Sequence, residues 1–326
     1  MLSPRDMRGL YAIIPTPAKE GAERADAVDT VDLDETARVV DKLIADGCHG
    51  LIALGTTGEC ATLSAPDYEA FVDCVLKTVK KRIPTFMGTT ALGTHETVRR
   101  TRFAAERGAD GILLGLPMWQ PCTIDMAIDH YQGVSEIFPR LAIMVYGNAR
   151  AFRFKFPPEF WSRVIKAAPT VMSAKFSRPQ LLPDALAATS GRVHFLPHDG
   201  ALAKFAAISR ETTTACWSTA ASMGPEPALA IVNALNRGDM ETFNAVEKDL
   251  AWAREPIREL STDPDLFATY NIQMEKLRIV HAGYCKAGPL RPPYNHMPAA
   301  HLESTKENAR RWRALCEKYA GAGKTA

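Results

Sequence analysis

The chain has 326 residues, 46% of them apolar and 23% charged, with a formal net charge of +2. This is the composition of an ordinary globular protein, and so small a charge excludes the strongly basic surface that nucleic acid or an anionic membrane would call for. The cysteines are scattered with no C-x-x-C pair, the first residues hold no long apolar run, and no stretch approaches the roughly 20 apolar residues of a bilayer span; the expectation is a cytoplasmic protein with reduced thiols, no signal peptide, and no membrane or nucleic-acid partner.

In chain order, the first β-type run is YAIIPTP, Tyr11 to Pro17. A helical stripe of Leu33, Ala37, Val40, Leu43 and Ile44 follows and ends at Gly47, a C-terminal cap. The run GLIALGTTGE then leads to a helix through Tyr68, Phe71, Val72, Val75, Leu76 and Val79, with Ser64 as its N-cap. The runs PTFMGTT, GILLGLP, LAIMVYGN, VMSAKFS, VHFLPHDG and TTACWSTA continue the series with helical intervals between them. Most are almost continuously apolar, as parallel strands covered by helices are. The segments GCHGLIA from Gly47 and GADGILL from Gly108 repeat one pattern of helix end, turn and new strand. Eight such units predict a (β/α)8 TIM barrel over residues 1–224, with a doubly wound open sheet as the alternative. Beyond Trp217 the periodicity is helical only, which predicts a C-terminal helical extension over 225–326 packed on the barrel. Its last long segment, ESTKENARRWRALCEKYA, reads as an exposed helix, and GAGKTA as a frayed end.

In such a barrel the chemistry lies where strands end. The second run ends in Gly55-Thr56-Thr57-Gly58-Glu59, the fifth at Tyr146, the sixth at Lys175 and the eighth at Trp217. Each has an ordinary reading: a plain turn, a packed aromatic, a lysine that reaches to solvent. Together they allow more. A lysine in apolar surroundings has a lowered pKa and a nucleophilic amine, which attacks a ketone to form a Schiff base. A tyrosine moves protons as the imine forms, and a hydroxyl-rich turn holds the carboxylate of a 2-keto acid. His194 and His198 lack a third ligand at metal spacing and read as a strand histidine and a rim hydrogen-bonder, and no phosphate-loop pattern follows a strand.

These residues resemble the dihydrodipicolinate synthase and N-acetylneuraminate lyase superfamily of pyruvate-dependent, Schiff-base barrels. The resemblance implies that Lys175 forms the imine, Tyr146 transfers protons, and Thr56 and Thr57 hold the carboxylate. The segments TVDLDETARVV, GTTGECATL, GTTAL, LPMW, SAKF, FLPH, YNIQMEK and KAGPLRPPYN are similar to the hydratase-aldolases of aromatic degradation that act on trans-o-hydroxybenzylidenepyruvate and trans-2'-carboxybenzalpyruvate. That likeness implies a lyase producing an aromatic aldehyde and pyruvate, with no cofactor or metal, working as a homotetramer. Asn148, Trp217 and Asn271 are then expected to shape the substrate and water site. The synthase's paired tyrosines are replaced by Pro117-Met118-Trp119, and its arginine register is shifted at Arg150. Trp119 and Trp217 are expected near the rim, where an aromatic ring would stack, and Arg150 or Arg178 could pair with a ring carboxylate. The alternatives are another class I pyruvate aldolase, synthase-like or acting on a sugar acid, and a catalytically silent 2-keto-acid-binding barrel.

Overall fold

A computed structural model describes residues 2–323; residues 324–326, part of the tail expected to fray, lie outside the described residues. In chain order the main elements are β1 (Gly9–Ile13), α1 (Leu33–Ala45), β2 (Gly50–Ala53), α2 (Ala65–Val79), β3 (Thr85–Gly88), α3 (Thr94–Glu106), β4 (Gly111–Leu114), α4 (Ile124–Ile137), β5 (Ala142–Tyr146), α5 (Ala149–Phe152), α6 (Pro158–Ala167), β6 (Val171–Lys175), α7 (Leu182–Thr189), β7 (His194–Leu196), α8 (Leu202–Ile208) and β8 (Ala215–Ser218). Then come α9 (Glu226–Arg237), α10 (Met240–Arg254), α11 (Arg258–Thr262), α12 (Pro264–Ala282) and α13 (Ala299–Lys318).

The strands form one eight-stranded sheet in the order β7-β6-β5-β4-β3-β2-β1-β8. A parallel bridge from His198, just past β7, to Trp217 in β8 joins the two ends of that order. This is the (β/α)8 barrel expected from the sequence, and the open-sheet alternative falls. Each predicted run contains a strand. The first begins two residues early, at Gly9, and stops at Ile13, because Pro15 and Pro17 have no N–H to give to a ladder.

The chain divides into two compact units, Met1–Arg8 with Pro84–Trp217, and Gly9–Ile83 with Ser218–Ala326. In the first, β3 to β7 pair in parallel register, Phe86 with Gly111 and Tyr146 with Lys175 among the pairs. Behind β6 lies an aromatic layer. Trp161 of α6 meets Phe195 at 4.9 Å, Phe160 at 5.1 Å and Phe176 at 6.0 Å between ring centroids, all edge-on. These rings are buried, and each contributes roughly 1.5–3 kcal/mol by leaving water. Side chains alternate along a strand, so the layer that takes Phe176 leaves Lys175 and Ser173 on the other face.

In the second unit, β1 and β2 pair in parallel, Tyr11 opposite Gly50. A Cβ on Gly50 would stand 2.3 Å from the Tyr11 ring, and one on Gly111 would stand 2.5 Å from the Phe86 ring. The sequence repeat therefore has a steric meaning: each copy opens a strand with a glycine that admits the preceding strand's aromatic. Each copy also ends a helix with a left-handed glycine, Gly47 at φ +96° and Gly108 at φ +88°. Asp32 and Ser64 cap α1 and α2 by accepting from Glu35 N and Asp67 N. The final helix differs from its reading. It starts at Ala299 and buries Ala309, Trp312 and Leu315, with Trp312 Nε1 donating to Gly224 O at 3.0 Å. Its charges, such as the Arg310–Glu307 pair, crowd the outer face and mask that stripe in the sequence. Among the described residues no helix is long and apolar enough to cross a membrane.

Candidate active site

Lys175 is the last residue of β6, directly beside Tyr146, the last of β5. Gly147 N donates to Lys175 O at 3.0 Å, and a Cβ on Gly147 would come within 2.8 Å of that oxygen, so glycine is what lets the two strand ends stay together. The lysine does not simply run out to solvent. It is partly buried, and its Nζ lies 3.7 Å from the centroid of the Trp217 ring and 4.7 Å from that of Tyr146. The two rings bound the space the amine can occupy.

Tyr146 is positioned in turn. Phe152 of α5 meets its ring edge-on at 5.3 Å, and Phe152 fits because Gly115 has no side chain there: a Cβ would stand 2.1 Å from the Phe152 ring. Asn148 Nδ2 donates to Tyr146 Oη at 3.4 Å, while Asn148 Oδ1 accepts from Ala151 N at 3.1 Å and caps α5. Lys175, Tyr146, Asn148 and Trp217 are thus gathered by this unit. The Trp217 Nε1 and Ser173 Oγ atoms, both buried, have no hydrogen-bond partner among the described residues. Ser173 shares the Lys175 face of β6, one pleat earlier.

Other expected residues fall differently. Trp119 is 74% exposed, and its segment is held by the backbone, Arg153 Nη2 donating to Met118 O at 2.8 Å and also to Trp119 O. Arg150 follows Asn148 in α5; burial lowers its pKa, and nearby Tyr146 opposes that shift. Arg178 is exposed. His194 bonds Thr214 Oγ1 through Nε2 at 3.0 Å, and His198 Nδ1 accepts from Gly200 N at 3.1 Å, so both follow their structural readings. Among the described residues no group of three or more His, Cys, Asp or Glu is arranged to hold a metal ion.

The second unit holds Thr56, Thr57 and Asn271. Thr56 and Thr57 sit in a tight turn after β2 that is closed by Glu59 N donating to Thr56 O at 3.0 Å and Cys60 N to Gly55 O at 3.3 Å. Gly58 is required there, since a Cβ would stand 2.7 Å from Leu54 N. Leu54 and Glu59 both take left-handed backbone, at φ +56° and +54°. Asn271 is a partly buried residue of α12.

In the sequence Glu59 reads only as part of a turn, and Lys276 and Arg291 carry no evident role. The three form a buried cluster. Glu59 Oε2 accepts from Lys276 Nζ and from Arg291 Nη1, both at 2.7 Å, and Glu59 Oε1 accepts from Arg291 N at 3.1 Å. Burial lowers the Lys276 pKa to about 8 against the pull of the Glu59 charge. A signal was present: Lys276 occupies a position between Ile272 and Ile279 on the helical repeat, where an apolar residue is expected.

The chain resembles known proteins over nearly its whole length. It is 38% identical over 322 residues to the trans-O-hydroxybenzylidenepyruvate hydratase-aldolase of Pseudomonas aeruginosa, covering 98% of this chain and 96% of that protein. It is also 38% identical to the trans-2'-carboxybenzalpyruvate hydratase-aldolase of Nocardioides sp. (strain KP7), covering 96% and 95%. The solved structure of PhdJ bound to a substrate intermediate superposes with a TM-score of 0.93 at 34% identity, over 98% of this chain and 99% of that one. The profile of the dihydrodipicolinate synthetase family matches residues 24–308, and the chain belongs to that family.

Proposed function

We propose that the chain is a hydratase-aldolase that converts an ortho-substituted trans-benzylidenepyruvate and water into an aromatic aldehyde and pyruvate through a Schiff base on Lys175. The observation that carries this reading is the register of Tyr146 with Lys175, with the lysine amine over the Tyr146 and Trp217 rings. The relatives named for the hydroxy and carboxy substrates support the substrate class.

The Lys175 amine adds to the 2-keto carbon, and loss of water leaves an iminium conjugated with the alkene. Water adds at the alkene carbon that bears the ring, with the iminium as electron sink, and the adjacent carbon takes a proton. Removal of the new hydroxyl's proton breaks the bond between those two carbons. The aldehyde departs, the electron pair passes into an enamine, and protonation and hydrolysis release pyruvate and the free amine. Tyr146 carries protons in these steps. Thr56 and Thr57 are assigned to the keto-acid carboxylate, and Asn148, Trp217 and Asn271 to the ring and the attacking water. The lysine is itself the electron sink, so the scheme uses no organic cofactor and no metal. Family resemblance further supports a homotetramer in the cytoplasm, engaged in breakdown of aromatic compounds.

Incubation with pyruvate and borohydride tests the assignment. Hydride reduces the imine to a stable secondary amine, and peptide mass spectrometry should find it on Lys175 and find none in Lys175→Ala. An adduct on another lysine overturns the assignment, and no adduct at all, with intact folding, favours the silent binding barrel.

A further inference from the structure

We infer that Glu59, Lys276 and Arg291 form a clamp that positions the Thr56–Thr57 turn, so that the C-terminal helix α12 sets the affinity for the 2-keto acid. The inference rests on the reading that this turn holds the keto-acid carboxylate.

The turn is a poor structure on its own. It enters and leaves through two left-handed non-glycine residues, Leu54 and Glu59, a conformation that persists only when the surroundings determine it. Those surroundings converge on Glu59. Its carboxylate takes Lys276 from α12 and Arg291 from the segment after α12. Arg291 extends the hold, donating to Thr16 O at 3.1 Å, Pro17 O at 3.3 Å and Thr30 Oγ1 at 2.8 Å. Thr16 Oγ1 closes the ring by donating to Gly58 O at 2.8 Å, inside the turn itself. All three charged side chains are buried, Lys276 fully.

A buried group of one anion and two cations is an expensive way to stabilise a fold, because a well-packed apolar replacement of a buried ion pair is often neutral or better. Its distinctive property is direction: short charge-assisted bonds fix one carboxylate from two sides and with it the backbone next to Thr57. Asn271 lies on α12, a little more than one turn before Lys276, so the same bond ties the turn to the helix carrying that residue.

The decisive variant is Lys276→Met. It removes one cation with little change of volume and leaves Glu59 paired with Arg291 alone, so the protein should fold. The pyruvate KM in condensation with an aromatic aldehyde should rise about tenfold, with kcat within about threefold of native, because the loss is one of ground-state positioning. Glu59→Gln should raise KM as far or further, and adding Lys276→Met to it should raise KM less than it does alone. Should Glu59→Gln fail to fold, Lys276→Met still decides. A folded Lys276→Met protein with native pyruvate KM overturns the clamp, whatever its melting temperature. Native protein that gives no borohydride adduct on Lys175 overturns the Schiff-base reading and the clamp with it; an adduct in native protein together with an unchanged KM in the variant overturns the clamp alone.

Discussion

Tyr146→Phe removes one oxygen and should separate chemistry from folding. The ring is 7% exposed and its packing is apolar, edge-on to Phe152 at 5.3 Å. Phenylalanine keeps that packing and keeps an aromatic face 4.7 Å from Lys175 Nζ. The bond from Asn148 Nδ2, already long at 3.4 Å, is lost in the resting protein, and a bond of that kind costs about 0.5–1.5 kcal/mol. If the hydroxyl carries protons as proposed, its loss should lower turnover by about 10²-fold or more, equivalent to about 2.7 kcal/mol of barrier. Tyr146→Ala, in contrast, should cost about 3–5 kcal/mol of stability through the cavity it opens. The assay follows loss of the conjugated arylidene-pyruvate absorbance, beside a circular-dichroism melt and borohydride trapping of pyruvate. The expected pattern for Tyr146→Phe is a near-native melt, retained trapping at long incubation and the large loss of turnover. A native melt with turnover within about threefold of native would refute the role of the hydroxyl.

Trp161→Ala should destabilise the protein by about 3–5 kcal/mol in urea titrations, since its ring is buried and abuts Phe160, Phe176 and Phe195; a loss under about 1 kcal/mol would show that the layer behind β6 is not what holds that strand. His130 and His194 are buried, and desolvation lowers both to about 4. Between there and the ordinary value of 6.5 the unfolded chain binds more protons than the folded one, so stability should fall as pH drops from 6.5 towards 4, by up to about 3 kcal/mol for each ring. His130→Gln should flatten that slope in denaturant titrations, and an unchanged slope would remove His130 from the account. In condensation with pyruvate, salicylaldehyde and 2-carboxybenzaldehyde should both give larger kcat/KM than aspartate semialdehyde. The opposite order would reject the aromatic substrate while leaving the Schiff base intact.

Much of the barrel was legible because its strands are short apolar runs punctuated by glycine and proline, and its helices carry plain stripes and caps. The repeat at Gly47 and Gly108 was legible for the same reason, though not its cause, the Tyr11 and Phe86 rings lying across Gly50 and Gly111. The ends of β5 and β6 could be read as neighbouring places for chemistry, because consecutive strands of such a barrel lie side by side, and the register pairs Tyr146 directly with Lys175. The amine's position over Trp217 was out of reach, because it depends on χ angles and on a partner 42 residues on in the chain. The α13 helix was misread where surface charge outweighed a narrow stripe around Trp312. The role of Glu59 is not legible, since its partners lie 217 and 232 residues away and no local pattern announces them.

In the unit that holds Lys175, the parts that would make the imine and the parts that would choose a substrate rest on different supports. Lys175 is fixed by strand register on one side and by the Trp161 aromatic layer behind β6. Asn148, Arg150 and Trp119 belong instead to a small assembly of their own. Asn148 caps the four-residue helix α5, whose C-terminal neighbour Arg153 holds the carbonyls of Met118 and Trp119. Phe152, in the middle of it, reaches Tyr146 through the space that Gly115 leaves. Substitutions in that assembly can therefore reshape what is recognised without moving the lysine strand. On the proposed reading, the segment Pro117-Met118-Trp119 can therefore vary while Lys175 and Tyr146 stay in register. Tyr146 is built into both supports, by register to Lys175 and by packing to Phe152. Its ring should therefore tolerate change least.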